Sequence, residues 1–304
     1  MILLVGASGR LGSVVAELLL AQGKALRAMT RTPLNLAHLK QQGAEVVRGD
    51  LRDPASLQRA CQGVAQVVAA AHALDGKGGN NPHTVDEEGN RGLIDAAKAA
   101  GVQHFIFLSI MGVSPDAPLE FFRIKYHTEE YLRASGLSFT ILRPSAYMEL
   151  WAQLIGQPIL ARGKVTIFGR GNNPINFVSV EDVARFASLA LDDPRARNTV
   201  IEVGGPENLT MNQLAEIFEC ASGRQAQKRH IPLPLMRVMS LLMQPVNPAL
   251  SRLIRNGIYL DTANLRYGTT ETARTLGVNP TPFEEIARRA TSNNAQLEPA
   301  SKLK

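Results

Sequence analysis

The sequence predicts an α/β fold, a parallel sheet flanked by helices with a smaller C-terminal lobe, and three observations predict it. Short apolar runs alternate with stretches of helical spacing through the first 145 residues. The first run, Ile2–Val5, leads at once into a glycine turn, Gly6-Ala7-Ser8-Gly9-Arg10-Leu11-Gly12, and then into Val14, Val15, Leu18 and Leu19 at helical spacing. Beyond Pro144 the rhythm changes. Strand, short loop and helix in repetition is the pattern of parallel strands joined by right-handed crossovers.

The elements follow in order. A second strand is expected over 25–30, and Pro33 opens a helix to about 42. The third strand, 45–48, ends in Gly49-Asp50-Leu51-Arg52-Asp53, and Asp53 with Pro54 behind it is a helix start. A fourth strand is expected over 64–71. The glycine- and asparagine-rich segment 72–82 lies just beyond its carboxyl end, where open parallel sheets bind ligands. It reads as a cofactor or substrate flap, or as a plain surface loop. A long helix over about 84–100, a strand over His104–Leu108, a helix over Glu120–Ala134 stopped by Gly136, and a strand over 138–142 complete the first domain.

Residues 1–145 are thus expected to form a Rossmann-type core, which the chain re-enters at about 176–204. The segments 146–175 and 205–290 would form the smaller substrate or partner lobe, with a helix over 147–159 and a short strand over 165–168. Strands over 177–180 and 200–203 flank a helix over 181–191, and a capped amphipathic helix spans 210–221. The apolar run Leu233–Met243 reads as lobe core, as a dimer or partner surface, or as a membrane-surface contact. Residues 291–304 are polar and patternless and are expected to be a disordered tail.

Composition narrows the function. Apolar residues are 45% and charged residues 20%, ordinary for a soluble chain with a real core. The formal charge is +6, but the basic residues are scattered and aromatics are only 5%, which argues against nucleic acid. Cys61 and Cys220 have no metal-ligand companions and suggest a reducing compartment. The six histidines form no close cluster, so no metal is expected, and no GxSxG elbow supports acyl chemistry. The sequence opens in its first strand, and no apolar run reaches the roughly 20 residues of a membrane span. A cytoplasmic protein is expected, with peripheral membrane contact left open.

A glycine turn between strand and helix holds a dinucleotide pyrophosphate, because small residues admit the phosphates and helix N–H groups point toward them. That assigns Gly6, Ser8, Gly9, Arg10, Leu11 and Gly12 to the cofactor, in a GxxGxxG pattern. The end of the second strand reads Met29-Thr30-Arg31-Thr32, without the acid that an NAD ribose prefers. Arg31 can pair with a 2′-phosphate, so NADP(H) is expected over NAD(H). Asp50 and Leu51 are candidates for the adenine edge and face. Ala70, Ala71 and His72 would line the cofactor's passage, His72 being alternatively a surface histidine.

Several motifs together resemble one family: GASGRLG at 6–12, GDLRD at 49–53, DEEGNRGLIDAAKAAGV at 86–102, FIFLSIMGV at 105–113, KYHTEEYLRASGLSFTILRP at 125–144 and FVSVEDVA at 177–184. The chain looks like an atypical short-chain dehydrogenase/reductase of the NmrA-like family. Residues 105–147 resemble most closely the Ycf39-type proteins linked to photosystem II assembly. The wider superfamily carries Tyr-x-x-x-Lys on the helix after the fifth strand, where the tyrosine moves the proton. Here that pair is Phe121 and Lys125. Phe121 has no proton to give, and Tyr126 is turned about 100° round the helix. Carbonyl reduction by the tyrosine route is therefore not expected.

The resemblance implies that Lys125 contacts the nicotinamide ribose, and in isoflavone-reductase-like relatives a lysine here is the proposed general acid/base. It places Pro144 and Ser145 beside the nicotinamide ring, with Arg143 as a brace. Met111 falls near the superfamily's substrate-orienting serine. Tyr147, Met148 and Trp151 would form the substrate wall or a core stripe, while the region after Asn176 supports the lobe and Asp182 caps or braces a helix. Two functions follow. One is an NADPH-preferring reductase of a small hydrophobic or quinone-like acceptor. The alternative is a non-catalytic NADP(H)-sensing regulatory or assembly factor that binds a protein partner.

Overall fold

The computed structural model describes residues 1–74, 76, 79–267 and 276–297. Strands and helices alternate from the start: β1 (Ile2–Val5), α1 (Arg10–Ala21), β2 (Leu26–Thr30), α2 (Ala37–Gln41), β3 (Glu45–Arg48), α3 (Pro54–Cys61), β4 (Gln66–Ala69), α4 (Glu88–Ala99), β5 (His104–Leu108), α5 (Glu120–Ala134) and β6 (Phe139–Pro144). Next come β7 (Ala146–Tyr147), α6 (Met148–Trp151), α7 (Gln157–Arg162), β8 (Lys164–Phe168), β9 (Ile175–Val178), α8 (Val180–Asp192) and β10 (Thr199–Val203). The chain ends through β11 (Asn208–Leu209), α9 (Met211–Ser222), β12 (Gln227–Ile231), α10 (Leu233–Met243), α11 (Pro248–Thr262) and α12 (Phe283–Leu297). It divides into two compact units, one from Met1–Pro144 and Val180–Val203 with 276–278, the other from Ser145–Ser179, 204–267 and 279–297.

The first unit is built on a seven-stranded sheet in the order β10-β6-β5-β4-β1-β2-β3, every pairing parallel. Every residue of β1 and of β5 is buried, which is why these strands, His104 at the head of β5 apart, read as apolar runs and not as alternation. The order reverses between β1 and β4, and such a switch point opens a crevice at the strands' carboxyl ends. Asp53 caps α3 by accepting the Ala55 N–H at 3.1 Å, ahead of Pro54. The helix expected over 84–100 begins instead with a wide π turn, His83–Glu87, before α4. That turn carries Asp86 into the interior, where it is fully buried.

The second unit holds a three-stranded sheet, β11-β9-β7, and a parallel pair, β12-β8. Phe177, Phe218 and Phe283 stack edge-on at its centre. Three expectations need correction here. The strand foreseen in the return to the first sheet is β9, which pairs with β7 and β11 instead. Asn176 fastens it there, its amide bonded to both the N–H and the C=O of Gly205 at 2.9 and 3.1 Å. The foreseen tail is helical through Leu297, because Phe283, Ile286 and Ala287 continue a buried stripe and nothing in 291–297 breaks the helix. Residues 298–304 lie outside the described residues. The single helix foreseen over 147–159 is also interrupted, by a π turn at Ala152–Gly156. Gly156 lies against Phe218, where a Cβ would sit 2.3 Å from the ring, and Pro158 removes a helix N–H.

Candidate functional site

The turn after β1 is shaped by glycine. Gly6 has φ +93°, and a Cβ there would lie 2.7 Å from Ala71 N and 2.9 Å from Ala70 C. A Cβ on Gly12 would lie 2.1 Å from Gly6 O. Gly9 donates its N–H to Gly6 O at 2.9 Å and leaves α1 without a side-chain cap or an acidic first turn. The N-terminal end of α1, with its partial positive charge, is thus open to an anion. Ser8, Gly9 and Arg10 are exposed, while Leu11 and Gly12 are buried beneath them. This cradle fits a dinucleotide diphosphate.

Beside it, Arg31 follows β2 and donates to Asn80 Oδ1 at 3.2 Å. The Asp50 carboxylate accepts from the Arg52 N–H, Nε and Nη2 at 3.0, 3.0 and 2.6 Å. Those bonds from Arg52 hold Asp50 below the usual carboxylate range, and Arg31 adds to the effect. Arg52 also donates to Gly79 O at 3.1 Å, so 79–80 of the expected flap is tied to both strand ends. Asp75, Lys77 and Gly78 lie outside the described residues. A cleft of about 540 Å³ opens here, lined by Arg31, Arg48, Gly49, Asp50, Asp53, Ser56 and Arg59. Arg48 and Arg59 escaped the sequence reading, since only the fold brings β3 and α3 to the end of β2. Leu51 is buried, its Cβ packed against Gly89. Ala70 and Ala71 are half-buried at the exit of β4, and His72 is exposed.

The centre of this unit is a buried ion pair. Lys125 Nζ lies 3.0 Å from Asp86 Oδ1, donates to Leu108 O at 3.2 Å, and sits 4.8 Å from the centre of the Phe107 ring. Asp86 Oδ2 accepts the Ala73 N–H at 2.8 Å. Half-buried Phe121 takes the tyrosine's place, 5.6 Å from Nζ. Asp86 was not foreseen as a partner, because an inward carboxylate needs the π turn that no sequence periodicity announces. A second buried acid, Glu129, accepts from Ser109 Oγ at 2.5 Å and from Arg143 Nε and Nη2 at 3.0 and 2.6 Å. Arg143 is thereby a brace between β6 and α5, and its charged state is reinforced by Glu129. Met111 is buried and donates its N–H to Pro144 O at 2.9 Å.

In the second unit the Ser145 hydroxyl is buried without a hydrogen-bond partner among the described residues, a polar atom left for a ligand. Tyr147 is half-buried, and burial pushes its phenol above the ordinary range, with Glu149 adding to the shift. Met148 is 1% exposed and packs in the unit's core, with Trp151 edge-on to Phe177 at 6.2 Å. Among the described residues no group of His, Cys, Asp or Glu is placed to hold a metal ion. The Cys61 thiol is pushed up to about 11 by burial, which makes it inert as a nucleophile.

A doubly wound parallel sheet with a glycine cradle at the end of β1 defines the Rossmann-type NAD(P)-binding proteins. Residues 1–285 match the NmrA-like family, and the chain belongs to it. The chain is 31% identical over 242 residues to the photosystem II assembly factor Ycf39 of Cyanophora paradoxa, covering 78% of this chain and 73% of that one. It is 30% identical to an NAD(P)H azoreductase of Xenophilus azovorans, over 74% of each chain. A solved NADPH-dependent quinone oxidoreductase of Escherichia coli, in complex with NADPH, superposes with a TM-score of 0.78 at 25% identity, over 95% of this chain and 99% of that one.

Proposed function

We propose that this protein is an NADPH-dependent reductase of a small hydrophobic or quinone-like acceptor. The observation that carries the reading is the arginine-lined cleft beside the glycine cradle. Three guanidinium groups there, from Arg31, Arg48 and Arg59, suit a phosphate that NADP carries and NAD lacks. The Gly6–Gly12 turn takes the diphosphate, Arg31 the 2′-phosphate and Asp50 the adenine edge. Ala70, Ala71 and His72 flank the cofactor's middle, while Pro144 meets the nicotinamide. Bound NADPH would supply the hydride.

Phe121, where the wider superfamily has its tyrosine, has no proton to supply, and the Lys125 ammonium is engaged by Asp86 and Leu108 O. A quinone-like acceptor suits such a site, since it can take its protons from water once reduced. The names of two relatives, a quinone oxidoreductase and an azoreductase, are consistent with acceptors of that kind. Lys125 then acts by position, fixed by Asp86 beneath the strand end. The test is steady NADPH oxidation with a panel of quinones and azo dyes. Turnover with NADPH, and less with NADH, supports the reading; tight NADPH binding with no turnover on any acceptor overturns it.

A second reading is favoured by the same ion pair. With Phe121 aprotic and Lys125 locked to Asp86, the site would hold a cofactor without an evident acid, as a sensor of the NADPH/NADP ratio would. Similarity to assembly factors is consistent with that role. Binding without turnover, together with a protein that copurifies only in one redox state of the cofactor, would support it.

A further inference from the structure

We propose that the α10–α11 hairpin of the second unit is a docking surface for an anionic lipid membrane. This rests on the hairpin alone and is independent of the reductase reading. Met236 and Ser240 face inward from α10, and the Ser251 hydroxyl of α11 donates to Ser240 O at 2.7 Å. Gly257 lets the two helices close, since a Cβ there would lie 3.1 Å from the Met236 methyl. The opposite side of α10 is apolar all the way out. Leu235, Val238, Leu241 and Leu242 are 50%, 53%, 71% and 62% exposed, and they share one face at helical spacing. Val246, in the turn between the helices, is 77% exposed, and Leu253 on α11 is 62% exposed.

Exposed apolar groups in such number normally mark a contact surface. Charge says what kind. The chain's basic residues are spread widely, but its imbalance is not. Residues 220–260 contain six basic side chains and no acidic one, so the whole formal charge of +6 resides in this segment and the rest of the chain balances. Arg229, Arg237 and Arg255 are exposed. The exposed face carries leucine, valine and methionine and no aromatic side chain, whereas the cores of protein interfaces favour aromatics. Aliphatic side chains on helices that expose Arg237 and Arg255, in a segment with no acid from 220 to 260, match the boundary between acyl chains and anionic headgroups, into which such a face sinks about 5–10 Å. No helix among the described residues is long and apolar enough to cross a membrane, so the contact is with one leaflet.

The test is flotation of the full chain with phosphatidylcholine vesicles, plain or with about one-third phosphatidylglycerol. Binding is expected to the anionic vesicles, and to fall as salt is raised. Val238→Asp with Leu242→Asp should lower it about tenfold or more, and Arg237→Glu with Arg255→Glu should lower it on anionic vesicles specifically. All four positions are exposed, so circular dichroism and the melting temperature should not change. The proposal is overturned if the parent protein stays off anionic vesicles, or if Val238→Asp with Leu242→Asp leaves binding unchanged. It is overturned equally if sedimentation shows a dimer that those two substitutions split, for the face then joins two copies of the chain.

Discussion

Lys125 Nζ and Asp86 Oδ1 lie 3.0 Å apart with side chains 3% and 0% exposed, which makes them the most deeply buried opposite charges around the candidate site. A buried pair gives little net stability over apolar residues of the same shape, but losing one partner strands a charge in a medium that cannot solvate it. Asp86→Asn or Lys125→Met is therefore expected to cost about 3–5 kcal/mol each. The double substitution should cost less than the two together. Urea unfolding of the three variants measures the coupling; simple additivity would mean that the pair does not interact.

The same pair marks where the sequence stops being informative. Phe121 and Lys125 are read correctly as neighbours on one helix face, because i and i+4 spacing needs no tertiary knowledge. Their partner across the interior is invisible, since Asp86 turns inward only through the π turn at 83–87. The sheet itself was legible in β1 to β6, whose apolar runs and glycine turns are local signals. Strand β9 was misplaced because a four-residue apolar run fits either sheet, and its choice is made by the distant hydrogen bonds between Asn176 and Gly205. Strand β12 was missed outright: Gln227–Ile231 is polar, and it becomes a strand by pairing with β8.

At the nucleotide end, Arg31 should choose between cofactors. A hydrogen-bonded ion pair to the 2′-phosphate is worth about 1.5–3 kcal/mol, or about 10- to 150-fold in affinity. Arg31→Ala is expected to weaken NADPH by that factor and to leave NADH nearly unchanged. Arg48→Ala and Arg59→Ala should each give a smaller loss in the same direction. Calorimetric titration with the two cofactors reads the difference directly. Equal loss for both would remove Arg31 from the 2′-phosphate.

The glycine turn makes a sharper demand. A methyl group on Gly12 would lie 2.1 Å from Gly6 O, a backbone atom that cannot swing aside. Gly12→Ala should push α1 away from β1 and abolish NADPH binding, at a stability cost of about 1–3 kcal/mol for the overpacked turn. Gly23→Ala is the control for backbone strain alone, because Gly23, unlike Gly12, has a positive φ and meets nothing within 4 Å. It should lower the melting temperature slightly and leave NADPH affinity as it is. The two substitutions therefore separate damage to the cradle from damage to the backbone.

Acid should destabilise the first unit through His104, at the start of β5. The ring is fully buried, and its Nε2 lies 2.9 Å from Thr140 Oγ1, whose own hydroxyl donates to Ala196 O at 2.7 Å. Thr140 must then accept, so Nε2 carries the hydrogen of a neutral ring. Burial, aided by Arg197, lowers the histidine from 6.5 to about 4 in the folded chain. Below pH 6.5 the unfolded chain takes up a proton that the folded chain refuses, so stability falls as pH drops and the loss is complete near pH 4. The full difference is about 3 kcal/mol. Urea midpoints of the parent and of His104→Gln, compared from pH 7 to pH 4, isolate this group from the carboxylates that titrate in both. The parent should lose more stability over that range, and parallel curves would show that His104 is not the group responsible.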